Sequence, residues 1–186
     1  MHCGDDQAGL NFIQKRNSLD NRELGDPGTP SFQVEKYPFF LLNRLVSRYN
    51  GVIEPRLRGI GLDIPFWRVL MVLGECSPRG VRDISLAAVI PLSTTTRIVQ
   101  RMAGVGYIAI SESSRDARVT EVSLTILGEE KLVEARAVTA PVYAGIINGV
   151  SAKDFNRLIT ILDRFYDNLT AFENVPAPRR GNNAGT

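Results

Sequence analysis

The sequence predicts a mainly α protein with one small β wing, and three observations carry that prediction. Apolar residues recur at alternating three and four spacing over most of residues 32–174. Two short runs, 107–110 and 119–124, read as strands, and they flank a single polar loop. Glycines, prolines and short polar residues stand where helices would start and stop.

The ends are different in kind. Residues 1–31 are polar, with Gly, Asp, Asn and Pro throughout and Asn11-Phe12-Ile13 as the one apolar spot, which predicts a flexible N-terminal arm. Residues 175–186, with Pro176, Pro178, Arg179 and Arg180, predict a flexible tail.

Between them, Leu41, Leu42, Leu45, Val46 and Tyr49 share one helical face, so an amphipathic helix is predicted from Pro38 to about Asn50. Continuation toward Arg58 would kink it at Pro55, and Gly59 and Gly61 would end it. Asp63 is the N-cap of the next helix and Pro65 fits its first turn. That helix runs to about Glu75 and is apolar nearly all round, so it should be buried. Residues 76–80 read as a turn and 81–89 as a short helix broken by Pro91.

Ser93 is the expected N-cap of the helix that follows. Thr95, Ile98, Val99 and Met102 fall on one face of it, whereas Ser93, Thr94, Thr96, Arg97, Gln100 and Arg101 fall elsewhere. Gly104 and Gly106 end it, with Gly106 suited to a left-handed closing residue. After the strand pair, Thr125 caps a helix carrying Leu132, Val133 and Val138, which Pro141 should bend or interrupt on the way to Ile146 and Ile147. Ser151 caps the last helix, with Asp154 three residues on. Its stripe of Phe155, Leu158, Ile159, Leu162, Phe165, Tyr166, Leu169 and Phe172 suits packing against another long helix.

Composition narrows the function classes. The chain has 186 residues, 44% of them hydrophobic, enough for one domain or one domain with an added oligomerisation element. A net charge of +2 permits nucleic-acid binding without arguing for it, so any DNA affinity depends on where the arginines sit. Cys3 and Cys76 form neither metal spacing nor a disulfide framework, and a reduced, cytoplasmic location is expected. No apolar run reaches the roughly 18–20 residues that span a bilayer, and the N-terminus lacks a signal-peptide layout. The single histidine, His2, lies in a polar tail, which argues against a zinc site or a Ser-His-Asp centre. No phosphate-binding glycine loop is present; no cofactor, metal or enzymatic activity is expected.

The middle therefore reads as a winged helix-turn-helix, residues 62–125. Such a helix enters the major groove, where each base pair shows its own donor and acceptor pattern. Arginine can bond both acceptors of guanine, and Ser and Thr let the backbone come close. Arg97 and Arg101 also admit a plainer role as solvated helix charges, but their place after a Ser-Thr start favours contact with double-stranded DNA. Arg115, at the tip of the hairpin, suits the minor groove or a phosphate. Asp116 and Arg118 suit pairing across the wing, which is compatible with DNA contact by Arg118.

These residues resemble one family. The run Leu62-Asp63-Ile64-Pro65-Phe66-Trp67-Arg68-Val69-Leu70 is similar to the opening helix of the DNA-binding region of MarR-type regulators. Ser93-Thr94-Thr95-Thr96-Arg97-Ile98-Val99-Gln100-Arg101-Met102 resembles their recognition helix, and Asp116-Ala117-Arg118 their Asp-x-Arg wing signature. Val122-Ser123-Leu124-Thr125-Ile126-Leu127-Gly128 resembles the exit from the wing, and the likeness spans roughly residues 37–172. Two departures stand out: Ala117 replaces the first of two usual arginines, and Gly104 falls late in the recognition helix.

The resemblance implies a homodimeric transcriptional repressor, with dimerisation regions at 32–61 and 126–174 flanking the DNA-binding lobe. It implies a pseudo-palindromic operator with half-sites on the order of 34–36 Å apart. It also implies release by a small ligand, often aromatic or phenolic, seated between the dimer helices and the DNA-binding lobe. Phe40, Trp67 and Met71 are candidates to line that pocket, or are ordinary core. Arg44 and Arg68 are candidate anchors for a carboxylate or acyl-thioester, or are surface charges. Two alternatives remain at this level: a winged helix serving protein–protein contact, and a redox-sensing regulator acting through Cys76, which otherwise is an inert thiol.

Overall fold

The computed structural model describes residues 20–112 and 120–173, which divide between Val142 and Tyr143 into two compact units. The readings at 1–19, at the wing tip 113–119 and at 174–186 lie outside the described residues. The first unit contains α1 (Asn21–Leu24), a 3-10 turn (Val34–Lys36), α2 (Pro38–Gly59), α3 (Ile64–Glu75), β1 (Arg79–Gly80), α4 (Val81–Ala88) and α5 (Leu92–Gly104). It continues with β2 (Ile108–Glu112), β3 (Thr120–Leu124) and α6 (Ile126–Ile147) as far as Val142. The second unit contains the end of α6 and α7 (Ala152–Glu173).

Part of the stretch read as an arm is folded. The Asp20 carboxylate caps α1 by accepting from the Arg22 N–H at 2.9 Å, and Leu24 is buried. One helical turn carries no periodicity, so composition alone predicts an arm there.

α2 continues through Pro55 to Gly59. Proline removes one N–H from the ladder, but Ile53 and Leu57 on either side are buried in the core and hold the turn. α6 likewise passes Pro141 without interruption. In α3 the Asp63 carboxylate accepts from the Phe66 N–H at 2.8 Å, and Phe66, Trp67, Val69, Leu70, Val72 and Leu73 are all buried. This helix is the centre of a core to which Leu57 of α2, Ile84 of α4, Met102 of α5, Val122 of β3 and Leu132 of α6 contribute.

Two expected boundaries move. Ser93 does not cap α5: the helix begins at Leu92 behind Pro91, whose carbonyl accepts from the Thr94 and Thr95 N–H groups at 2.9 Å. Pro91 fixes the extended entry that an N-cap needs, which leaves Ser93 in the first turn with its side chain exposed. α4 stops at Ala88 rather than being broken by Pro91, because Val89 turns left-handed at φ 54°.

Three helices in the first unit close with the same pair of hydrogen bonds. At the end of α2, the Leu62 and Gly61 N–H groups donate to Leu57 and Arg58 carbonyls. At the end of α5, Tyr107 and Gly106 donate to Met102 and Ala103. At the end of α4, Ile90 and Val89 donate to Ser85 and Leu86. This closure needs one left-handed residue. Glycine supplies it in two cases, at φ 76° and 81°; a β-branched valine supplies it in the third.

The sheet has strand order β1-β3-β2, antiparallel throughout. Ile108 faces Leu124 and Ile110 faces Val122 across the hairpin, and Arg79 faces Val122 from the other side. β1 is a correction to the turn expected at 76–80; two residues are too few to show alternation. Gly128 lets α6 start against the sheet: a Cβ there would lie 1.9 Å from the Tyr107 carbonyl oxygen.

In the second unit Ser151 caps α7, accepting from the Asp154 N–H at 3.1 Å while its hydroxyl donates to the Asp154 carboxylate at 2.7 Å. No α7 residue is buried; Leu158, Ile159 and Leu169 are about half exposed, and Tyr166 and Phe172 more so.

Two substitutions check these constraints by equilibrium denaturation. Gly128→Ala should destabilise by about 2 kcal/mol or more, since backbone must move. Val89→Gly should stabilise by about 1 kcal/mol, because the left-handed penalty on an L-residue exceeds the added chain entropy of glycine.

Candidate nucleic-acid interface

The two faces of α5 separate as their residue types require. Thr95, Ile98, Val99 and Met102 are buried; Ser93, Thr94, Thr96, Arg97, Gln100 and Arg101 are exposed. Burying Thr95 is possible because its hydroxyl lies 3.2 Å from the Pro91 carbonyl and 3.3 Å from that of Ile90. The Ser85 hydroxyl donates to the same Ile90 carbonyl at 2.9 Å. The turn between α4 and α5 is thus set by buried polar contacts.

Within that outer face the six residues are not equivalent. At about 100° per residue, Ser93, Arg97 and Gln100 span an arc of roughly 60° opposite the buried stripe. Thr96 lies toward the sheet, and its hydroxyl donates to the Leu92 carbonyl at 3.0 Å, leaving it an acceptor for any partner. Thr94 and Arg101 lie on the other flank. Arg101 is already engaged: its guanidinium is 3.6 Å from the Asp63 carboxylate and its Cζ lies 4.8 Å from the centre of the Phe66 ring. The cap of α3 therefore anchors the last turn of α5.

The structure also adds a residue that sequence reading missed. Arg82, exposed in the first turn of α4, lines a cleft of about 600 Å³ together with Thr96 and Gln100 of α5 and Ile110 and Thr120 of the sheet. A lone arginine at the start of a short helix carries no sequence signal. The topology brings it beside α5. Arg115, Asp116 and Arg118 belong to the wing tip outside the described residues.

The candidate ligand residues divide between two helices. Phe40 and Arg44 are exposed on α2, with the Arg44 Cζ 6.0 Å from the Phe40 ring. On α3, Met71 is exposed, Arg68 half-buried, and Trp67 is 5% exposed in the core. The Trp67 indole N–H is buried without an acceptor in the described structure. Neither this cleft nor a smaller one beside Cys76 is lined by any of the five. Cys76 is exposed and unpaired as a thiol. Among the described residues no cluster of His, Cys, Asp and Glu is suited to a metal ion, and no helix is long and apolar enough to cross a membrane.

Comparison with known proteins gives one direction. The chain is 35% identical over 144 residues to the HTH-type transcriptional repressor IacR of Pseudomonas putida, covering 77% of this chain and 86% of that protein. Its fold matches a MarR family transcriptional regulator from Silicibacter pomeroyi with a TM-score of 0.68, at 23% identity over 76% of this chain and 95% of that one. It also matches Bordetella bronchiseptica BpsR, whose DNA binding is regulated by 6-hydroxynicotinic acid, with a TM-score of 0.63, at 20% identity over 76% and 99% of the two chains. No protein-family model matches the sequence.

The double role of Asp63 can be separated by urea denaturation. Asp63→Ala should cost about 1 kcal/mol by removing the cap. Asp63→Asn keeps a capping oxygen and should change stability by no more than about 0.5 kcal/mol, since the pair with Arg101 is well exposed.

Proposed function

The chain belongs to the MarR family of transcriptional regulators, and from that premise we propose that it is a cytoplasmic, homodimeric repressor that a small ligand releases from a pseudo-palindromic operator. The observation that carries DNA reading by α5 is the division of that helix. Ser93, Arg97 and Gln100 stand exposed on an arc that the core does not use, with Thr94, Thr96 and Arg101 on its flanks. In this reading Arg97 makes the bidentate base contact and Gln100 a second one, while Arg115 and Arg118 of the wing add phosphate or minor-groove contacts.

The dimer reading is supported by apolar surface that a single chain leaves open. Phe40, Leu45 and Val46 of α2 are about half exposed, and so are Leu158, Ile159 and Leu169 of α7. Contiguous apolar faces on terminal helices are the usual substance of an obligate interface. Sedimentation equilibrium should return twice the chain mass at micromolar concentration; a monomer would overturn the dimer.

Ligand release is supported by the BpsR precedent and by the Trp67 indole N–H, a buried donor that a ligand acceptor would satisfy. An aromatic carboxylate suits Phe40, Arg44, Trp67, Arg68 and Met71. Binding to the form with displaced recognition helices would lower operator affinity by linkage.

The test of the DNA reading is affinity for promoter duplexes flanking its own gene against random duplex, at stated salt. Arg97→Ala should reduce operator preference by about 1–3 kcal/mol while the fold is retained. Equal binding of the unmodified protein to both duplexes would sink the reading.

A further inference from the structure

Arg82 has no part in the reading above, and with the cleft beside α5 it carries a further inference that rests on that reading. If α5 lies in the major groove and the hairpin reaches the adjacent minor groove, one sugar–phosphate strand separates the two grooves. That strand has to pass between α5 and the sheet. Among the described residues, the elements bordering the 600 Å³ cleft are α5, the start of α4 and the facing parts of the sheet. Thr96 and Gln100 belong both to its lining and to the outer face of α5, so the cleft is continuous with the reading surface.

We propose that this cleft seats the DNA strand between the two grooves and that Arg82 is its phosphate contact. A guanidinium is suited to that role, since its planar fork can meet two phosphate oxygens at once. The Thr120 hydroxyl adds a neutral donor of the kind that positions a backbone without reading sequence. The first turn of α4 begins at Gly80 with no side-chain cap and points its positive end into the same region. The apolar part of the lining, including Val81 and Ile110, suits the sugar faces. An open trench fits a strand better than a small ligand, which is ordinarily buried over most of its surface. Asp83 also lines the cleft and opposes an anion there, so it supplies a second handle of opposite sign.

The test uses the full chain, titrated by fluorescence anisotropy with operator duplex and random duplex across a salt series. Arg82→Ala and Arg82→Gln should weaken binding to both duplexes by the same factor, about threefold to tenfold per subunit. The slope of log K against log salt should fall by about 1.8, one contact in each half of the dimer. Arg82→Lys should restore the slope, and Asp83→Asn should tighten both duplexes alike. Melting temperatures within a few degrees of the unmodified protein establish that each variant is folded.

Two results overturn the proposal. One is unchanged affinity and slope in Arg82→Ala and Arg82→Gln. The other is unchanged DNA binding with loss of response to an aromatic carboxylate, which would make the cleft an effector site. Either result with Arg97→Ala still reducing operator preference removes the cleft assignment and leaves the α5 reading intact. If Arg97→Ala also leaves the preference unchanged, the reading itself has failed.

Discussion

The contact on which the rest depends is the junction of α5, the hairpin and α6. The Thr125 N–H donates to the Tyr107 carbonyl at 3.1 Å, and its hydroxyl donates to the Gly106 carbonyl at 2.6 Å while accepting from the Gly128 N–H at 3.1 Å. One residue thus joins the exit of α5 to the entry of α6. The approach is so close that position 128 has no room for a side chain. Lys131, one turn on, donates to the Ile60 carbonyl at 3.1 Å and to Glu134, and it lies 5.9 Å from the Tyr107 ring. The Glu134 carboxylate raises its pKa above the ordinary lysine value, so it stays charged. The ends of α2, α5 and β3 are all referenced to the first two turns of α6.

With the exit of α5 held this way, its entry is held differently. There the constraint is the left-handed turn at Val89 and the carbonyls of Ile90 and Pro91, satisfied by Ser85 and Thr95. Arg101 adds a lateral hold through Asp63 and Phe66. A helix of thirteen residues is thus held at both ends and contacted along one side. Rigidity is what base reading requires, because a misplacement of about an ångström weakens a bidentate contact.

Much of this is legible in the sequence, because the signals are local. Asp63, Thr125 and Ser151 announce caps through their own chemistry, and Gly106 announces a left-handed closure. The division of α5 into two faces follows from helical spacing. What escaped was either too short or not local. β1 is two residues long, and Pro91 took the capping place because of the turn that precedes it, not because of the Ser93 side chain. Val89 reads as a helix residue by type and is turned left-handed only by the closure of α4. Arg82 acquires a role only when the sheet folds beside α5.

The separation of α5 into a buried stripe and an exposed stripe has an evolutionary consequence. Surface substitutions away from special features commonly change stability by less than about 0.5 kcal/mol. Exchanges at Ser93, Arg97 and Gln100 are therefore nearly neutral for folding, and in the proposed DNA reading each one changes the base sequence that the helix prefers. In that reading, descendants of this scaffold can drift to new operators, and so to new genes, without first acquiring a compensating stabilising change.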